Sequence, residues 1–146
     1  MASVSTYLNF LGNTEEAFLF YKSVFGTEFD GEGISRMGDV PPQEGQPPLS
    51  DADKNLVMHV SLPIIAGHRI MGTDVTESMG SPLVVGNHMY INLEPDTREE
   101  LDRLFAALSE GGIVEMQPQE MFWGDYFASC KDRFGINWMF NTASKT

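Results

Sequence analysis

The side chains best suited to proton transfer or metal ligation in this chain are His59, His68 and His88. Imidazole titrates near neutral pH and is a common metal ligand, so a histidine beside a carboxylate is the first arrangement to seek. His59 or His88 with Asp125 is the best acid-base pairing on offer, and these three are the candidate catalytic residues. Their spacing matches no local metal motif, so an off-pattern site on His59 and His88 would draw on Asp74, Asp125 or Glu94. His68 follows Gly67 in a turn-like position, where a hydrogen-bonded structural imidazole is expected. Cys130 is the single cysteine, so it has no internal partner for a disulfide or redox pair and reads as packing. The chain contains no serine nucleophile elbow, phosphate-binding loop or HExxH helix.

A second group of residues suits ligand binding rather than catalysis. Tyr7 and Asn9 sit two apart, as do Tyr90 and Asn92, and residues two apart on a strand face the same way. Such amides and hydroxyls need partners once buried, which either a polar ligand or an internal network supplies. Trp123 and Trp138 can stack on a ligand ring or hold a cation against their faces, with Asp125 adding charge, and the competing role for each is core packing. The candidate binding residues are thus Tyr7, Asn9, His59, Tyr90, Asn92, Trp123 and Trp138. Nine methionines, among them Met58, Met71, Met79, Met89, Met121 and Met139, suit an adaptable apolar pocket or simple core packing.

Composition limits what can bind. With 9 Lys and Arg against 21 Asp and Glu, the formal charge is -12, which repels nucleic-acid backbones and anionic lipid surfaces. The same charge serves solubility and attracts cationic ligands. No stretch approaches the roughly 18 apolar residues of a membrane span, and Met1 to Phe10 has neither the basic cluster nor the apolar run of a signal peptide. A cytoplasmic protein is expected, without nucleic-acid or membrane partners.

The elements that position these residues repeat. Asn13-Thr14-Glu15-Glu16 reads as a helix start with Asn13 as cap and Glu16 completing a capping box, and Gly26 as its left-handed stop. Ala17, Phe20, Tyr21, Val24 and Phe25 form its apolar stripe. A second helix runs from a cap at Asp96 or Thr97 to Gly111-Gly112, with Leu101, Leu104, Phe105 and Leu108 inward. A shift of about 83 residues sets Asn9 on Asn92, Thr14 on Thr97 and Phe18 on Leu101, whereas Gly67 meets Gly135 at a shift of about 68. The difference is Gly38 to Asp53, a Pro- and Gly-rich surface loop inserted in the first half, equally consistent with a lid or a plain excursion.

Strands are expected at Tyr7–Leu11, within Glu28–Met37, and at Asn55–Leu62 and Arg69–Asp74. Their copies are His88–Leu93, Ile113–Pro118, Tyr126–Lys131 and Asn137–Asn141, so each half reads βαβββ. The chain is then a single domain over residues 1–146, with module one at about 1–75, a linker at 76–85 and module two at about 86–146.

The stretches Tyr7-Leu8-Asn9-Phe10-Leu11-Gly12-Asn13-Thr14-Glu15-Glu16-Ala17-Phe18, Phe20-Tyr21-Lys22-Ser23-Val24-Phe25-Gly26, Met121-Phe122-Trp123-Gly124-Asp125-Tyr126-Phe127 and Asp132-Arg133-Phe134-Gly135-Ile136-Asn137-Trp138 span both modules. In order and spacing they resemble the glyoxalase, bleomycin-resistance and dioxygenase (vicinal oxygen chelate) superfamily, in its PhnB-like, demethylubiquinone methyltransferase-like branch. The resemblance implies an α+β fold of two βαβββ modules, curled into a half-open mixed sheet around a pocket, usually in a homodimer. Methyl transfer is not expected, because Gly12-Asn13 and Pro95-Asp96 make no glycine-rich turn of the nucleotide-holding kind.

Metal-dependent members of this superfamily take four His, Glu or Gln ligands from the first and last strands of the modules. Carried over, those positions are Ser5 or Thr6, Met71, His88 and Met139, of which only His88 is a good ligand. No metal or other cofactor is therefore expected, and a divalent metal would need an off-pattern site. The reading that follows is a protein that binds a small molecule between its modules. The alternative is a metal- or His-dependent lyase, isomerase or dioxygenase acting on a small organic molecule.

Overall fold

A computed structural model describes residues 1–76 and 82–146, and the rest of the expected linker, residues 77–81 with Met79, lies outside the described residues. Contacts divide the chain into two compact units, Met1–Leu83 and Val84–Thr146. Each unit is one βαβββ module carrying its own mixed four-stranded sheet, and neither sheet is closed.

In the first unit, β1 (Thr6–Phe10) leads to α1 (Thr14–Phe25), then β2 (Ser35–Arg36), the one-turn α2 (Asp51–Lys54), β3 (Val57–Pro63) and β4 (Arg69–Asp74). The sheet order is β1-β4-β3-β2, with β1 and β4 parallel and the other pairs antiparallel. Alternation along β1 buries Leu8 and Phe10 on one side and leaves Tyr7 and Asn9 exposed on the other. Thr14, Ala17, Phe18, Tyr21 and Val24 are the buried residues of α1, and Phe18 makes edge-on ring contacts with Phe10 and Tyr21. Phe18 thus belongs to the stripe, while Phe20 and Phe25 are only half-buried, a correction to the expected face.

The start of α1 also differs from expectation. Asn13 makes no side-chain capping bond. The acceptor comes from across the unit: Asp74, at the end of β4, takes hydrogen bonds from Thr14 N (3.0 Å) and Thr14 Oγ1 (2.6 Å), while its other oxygen takes one from Val57 N (2.8 Å). A carboxylate there also complements the positive end of the helix dipole. Gly26 stops the helix as expected, at φ 66°, donating to Lys22 O. The inserted segment runs between β2 and β3, and its ends wind into a 3₁₀ turn, Met37–Asp39, and α2, capped by Ser50. Of the expected strand within Glu28–Met37, only Ser35–Arg36 pairs.

The second unit contains β5 (Ile91–Leu93), α3 (Arg98–Ser109), β6 (Ile113–Glu120), β7 (Tyr126–Lys131) and β8 (Asn137–Thr142), in sheet order β5-β8-β7-β6. Thr97 caps α3 by accepting from Glu100 N, and Leu101, Leu104, Phe105 and Leu108 form its buried stripe as expected. These pack with Ala128, Cys130, Trp138 and Phe140, all fully buried, and each such Leu or Phe contributes roughly 1.5–3 kcal/mol.

Burial, with Asp132 and Glu115 adding negative charge, pushes the Cys130 thiol up to about 12. The thiol therefore stays protonated. Cys130 is expected to resist a disulfide reagent at about pH 8 in the folded chain and to react fully in denaturant, and rapid labelling of the folded chain would contradict its burial.

Candidate functional site

The sheet side of the first unit opposite the buried Leu8 and Phe10 is polar. Strand register sets Tyr7 beside Met71 and Asn9 beside Thr73, with Met71 beside Ser61 on β3. Alternation brings His59 to the same side. Tyr7 Oη and His59 Nδ1 lie 3.3 Å apart, and their rings are tilted at 35° with centroids 5.9 Å apart. Two expected site residues from strands that are not neighbours are thereby joined. Tyr7 is 50% exposed, and Asn9 is exposed with no side-chain hydrogen bond to another described residue, so both side chains can take an incoming partner.

The second unit carries the corresponding side, but its register changes which residues correspond. The β3–β4 and β7–β8 hairpins match, with Val60 opposite Gly72 and Ala128 opposite Phe140, so Met71 corresponds to Met139. Tyr7 lies beside Met71, and Asn92 beside Met139. Tyr7 therefore corresponds to Asn92 and Asn9 to Glu94, two places from the match suggested by sequence. Burial agrees, since Leu93 and Pro95 are buried like Leu8 and Phe10. Pro95 has no N–H for a ladder, which ends β5 early.

Tyr90 precedes β5 instead of belonging to it, and its hydroxyl donates to Glu115 on β6 at 3.0 Å. That bond, then burial, raises the tyrosine pKa above its ordinary value. The contact joins opposite edges of the sheet order, which requires this sheet to curl. At the other end of the same side, Asn141 Nδ2 donates to Asp125 Oδ2 (3.0 Å). Both line an open cleft of about 380 Å³ with Glu94, Asp96 and Ser144.

Two aromatic candidates separate. Trp123 is 51% exposed, at the tip of the β6–β7 turn beside the exposed Phe122. Trp138 is fully buried, and its Nε1 donates to Asp132 Oδ2 at 2.8 Å, which corrects its candidacy as a ligand wall: it is core packing. Asp132 Oδ1 meanwhile accepts from Phe134 N and Ile136 N, tying the β7–β8 turn to that tryptophan.

The metal positions implied by resemblance do not form a donor set. Ser5 Oγ donates to Met71 Sδ (3.7 Å), and Thr6 Oγ1 is 2.9 Å from His68 Nε2, which gives His68 the structural partner expected of it. His88 is exposed in a bend ahead of β5, not on the strand, so it does not hold the ligand position assigned to it. The reason is local: Asn137 Nδ2 donates to both Gly86 O and Met89 O and holds this segment off the ladder. Asp74, offered for an off-pattern site, is occupied as the cap of α1. A hydroxyl and two thioethers do not fit a divalent metal that prefers imidazole and carboxylate.

Residues missed at the sequence level are Thr73, Lys131, Asn137 and Asn141 on these polar sides. For Asn137 and Asn141 the signal was their spacing of four along a strand, which puts both on the side of β8 opposite the buried Trp138 and Phe140.

Comparison with known proteins places these features. The profile of the family described as 3-demethylubiquinone-9 3-methyltransferase matches residues 2–140. Protein YjdN of Escherichia coli K12 is 30% identical over 144 residues, covering 97% of this chain and 96% of that protein. Protein PA1353 from Pseudomonas aeruginosa has a similar structure, with TM-score 0.81 and 32% identity over 97% of this chain and 98% of its own. A Bacillus cereus PhnB protein, described as a putative 3-demethylubiquinone-9 3-methyltransferase, follows at TM-score 0.74 and 25% identity over 97% and 100%. The fold alone extends to a glyoxalase/bleomycin resistance protein/dioxygenase family enzyme from Burkholderia phytofirmans PsJN, at TM-score 0.58 and 17% identity over 95% and 98%.

Proposed function

The chain belongs to the 3-demethylubiquinone-9 3-methyltransferase (PhnB-like) family within the glyoxalase/bleomycin resistance superfamily, and from that premise we propose that it binds a small polar organic molecule on the sheet sides bearing Tyr7, Asn9 and His59. The observation that carries this reading is the Tyr7–His59 contact on the same side as the Asn9 side-chain amide, which makes no hydrogen bond to another described residue. Neutral donors and acceptors held on strands recognise a ligand by hydrogen bonding. We do not extend the methyltransferase description to this chain, because the turns before α1 and α3 lack the glycine-rich form that cradles a nucleotide cofactor.

We propose further that the chain forms a homodimer located in the cytoplasm. The lone buried Cys130 suits a reducing compartment, and a light-scattering mass of 16.2 kDa at micromolar concentration would count against the dimer.

Native mass spectrometry of chelator-free protein, with elemental analysis of the same sample, tests the reading. A retained organic molecule without stoichiometric metal supports it, and stoichiometric metal would replace it with the enzyme reading. With a retained molecule in hand, Tyr7→Phe and His59→Ala are each expected to weaken its binding about 10-fold or more, the value of one to two lost hydrogen bonds to a desolvated ligand. His88→Ala should change it less than about 2-fold. Loss of turnover in His59→Ala with binding intact would instead make His59 a general base.

A further inference from the structure

Asn137 opens β8 on the same side as Met139 and Asn141, is 8% exposed, and uses both amide hydrogens on Gly86 O (2.9 Å) and Met89 O (3.0 Å). Its carbonyl oxygen, Oδ1, is buried and receives no hydrogen bond. Rotating the amide to exchange its ends would set this oxygen against two carbonyl oxygens, so the orientation is chemically determined. Buried acceptors of this kind call for a donor.

Directly opposite, across the β7–β8 pair, stands Lys131, half-buried and with no carboxylate partner among the described residues. Opposed residues of an antiparallel pair are side-chain neighbours on one side of the sheet. Neighbouring side chains thus carry an ammonium donor and an unfilled carbonyl acceptor.

We propose that Lys131 and Asn137 form a subsite for an uncharged primary carboxamide or lactam. The ligand carbonyl accepts from Lys131 Nζ, and the adjacent ligand N–H donates to Asn137 Oδ1. A carboxylate would satisfy only the lysine and would have to enter a chain of net charge -12, whereas a neutral amide satisfies both groups. Both residues lie within the second unit, and the pair names a chemical class of ligand on the geometry of that unit alone.

Benzamide, N,N-dimethylbenzamide and benzoate are the probes, titrated into the full chain and followed by amide chemical shifts. Benzamide is expected to bind about 10-fold tighter than either of the others, since each of those lacks one of the paired groups. Lys131→Met should weaken benzamide about 10-fold, and Asn137→Leu should abolish its advantage over the dimethyl compound. Because Asn137→Leu also frees the 86–89 bend, the comparison of the three probes on the unaltered chain stands as the test that needs no variant. Equal binding of benzamide and N,N-dimethylbenzamide overturns the subsite, as does a benzamide affinity untouched by Asn137→Leu, which would leave an ordered water as the donor at Oδ1. If a co-purified molecule is still lost from Tyr7→Phe and His59→Ala, only the subsite has failed and the binding function stands.

Discussion

Replacing Asp74 with alanine is expected to destabilise the chain by about 3–5 kcal/mol, read as a lower midpoint in equilibrium urea unfolding. The carboxylate is 2% exposed and is the common acceptor for Thr14 N, Thr14 Oγ1 and Val57 N. One side chain thereby ties the end of β4 to the starts of α1 and β3. Its removal leaves three donors buried around a cavity, with Thr14 itself fully buried and out of reach of water. Asp74→Asn keeps an acceptor for Thr14 but turns an NH₂ group towards the N–H of Val57, so an intermediate loss is expected. By contrast, the Arg36–Glu15 pair has side chains 34% and 44% exposed, and Glu15→Ala should cost under about 1 kcal/mol. A loss at Asp74 no larger than at Glu15 would show that the network does not hold the unit together.

Gly112→Ala is expected to cost more than Gly111→Ala, although only Gly111 has a positive φ, 75°. A methyl group at Gly112 would fall on the Lys131 carbonyl oxygen and the Asp132 backbone, so strand β7 or the start of β6 must move. Main chain in a paired hairpin yields poorly, and overpacking of that kind costs about 2–3 kcal/mol. At Gly111 the nearest obstruction is the flexible side chain of Arg133, at 3.3 Å, leaving mainly the left-handed backbone penalty of about 1–2 kcal/mol. Thermal unfolding of the two variants side by side decides the order. A larger loss at Gly111 would mean that backbone conformation, not the close approach of β7, makes this glycine pair necessary.

Much of the fold was legible because it rests on local periodicity. The stripe Leu101-Leu104-Phe105-Leu108 and strands Arg69–Asp74 and Tyr126–Lys131 appear where the sequence pattern puts them, since 3.6-residue and two-residue periods are properties of the chain itself. The repeat was legible in kind but not in register. Helix starts such as Thr14 and Thr97 align by residue type, whereas correspondence between β1 and β5 is decided by hydrogen bonding to β4 and β8. Because the slip is two residues, it exchanges partners without exchanging sides. Asn92 therefore remained on the polar side while Tyr90 and His88 left the strand.

For the candidate site, composition and spacing by themselves determined the residue types available: no cysteine pair, three histidines, and a strongly acidic chain carrying two families of polar strand residues. Tertiary structure alone decided which of these meet. It joined Tyr7 to His59, buried Trp138 on Asp132, assigned Asp74 to a helix start 60 residues away in sequence, and left the Asn137 carbonyl without a donor. The physical reason is that periodicity specifies the side of an element on which a residue lies, whereas a hydrogen bond depends on distances of about 3 Å between elements, set by strand order and register.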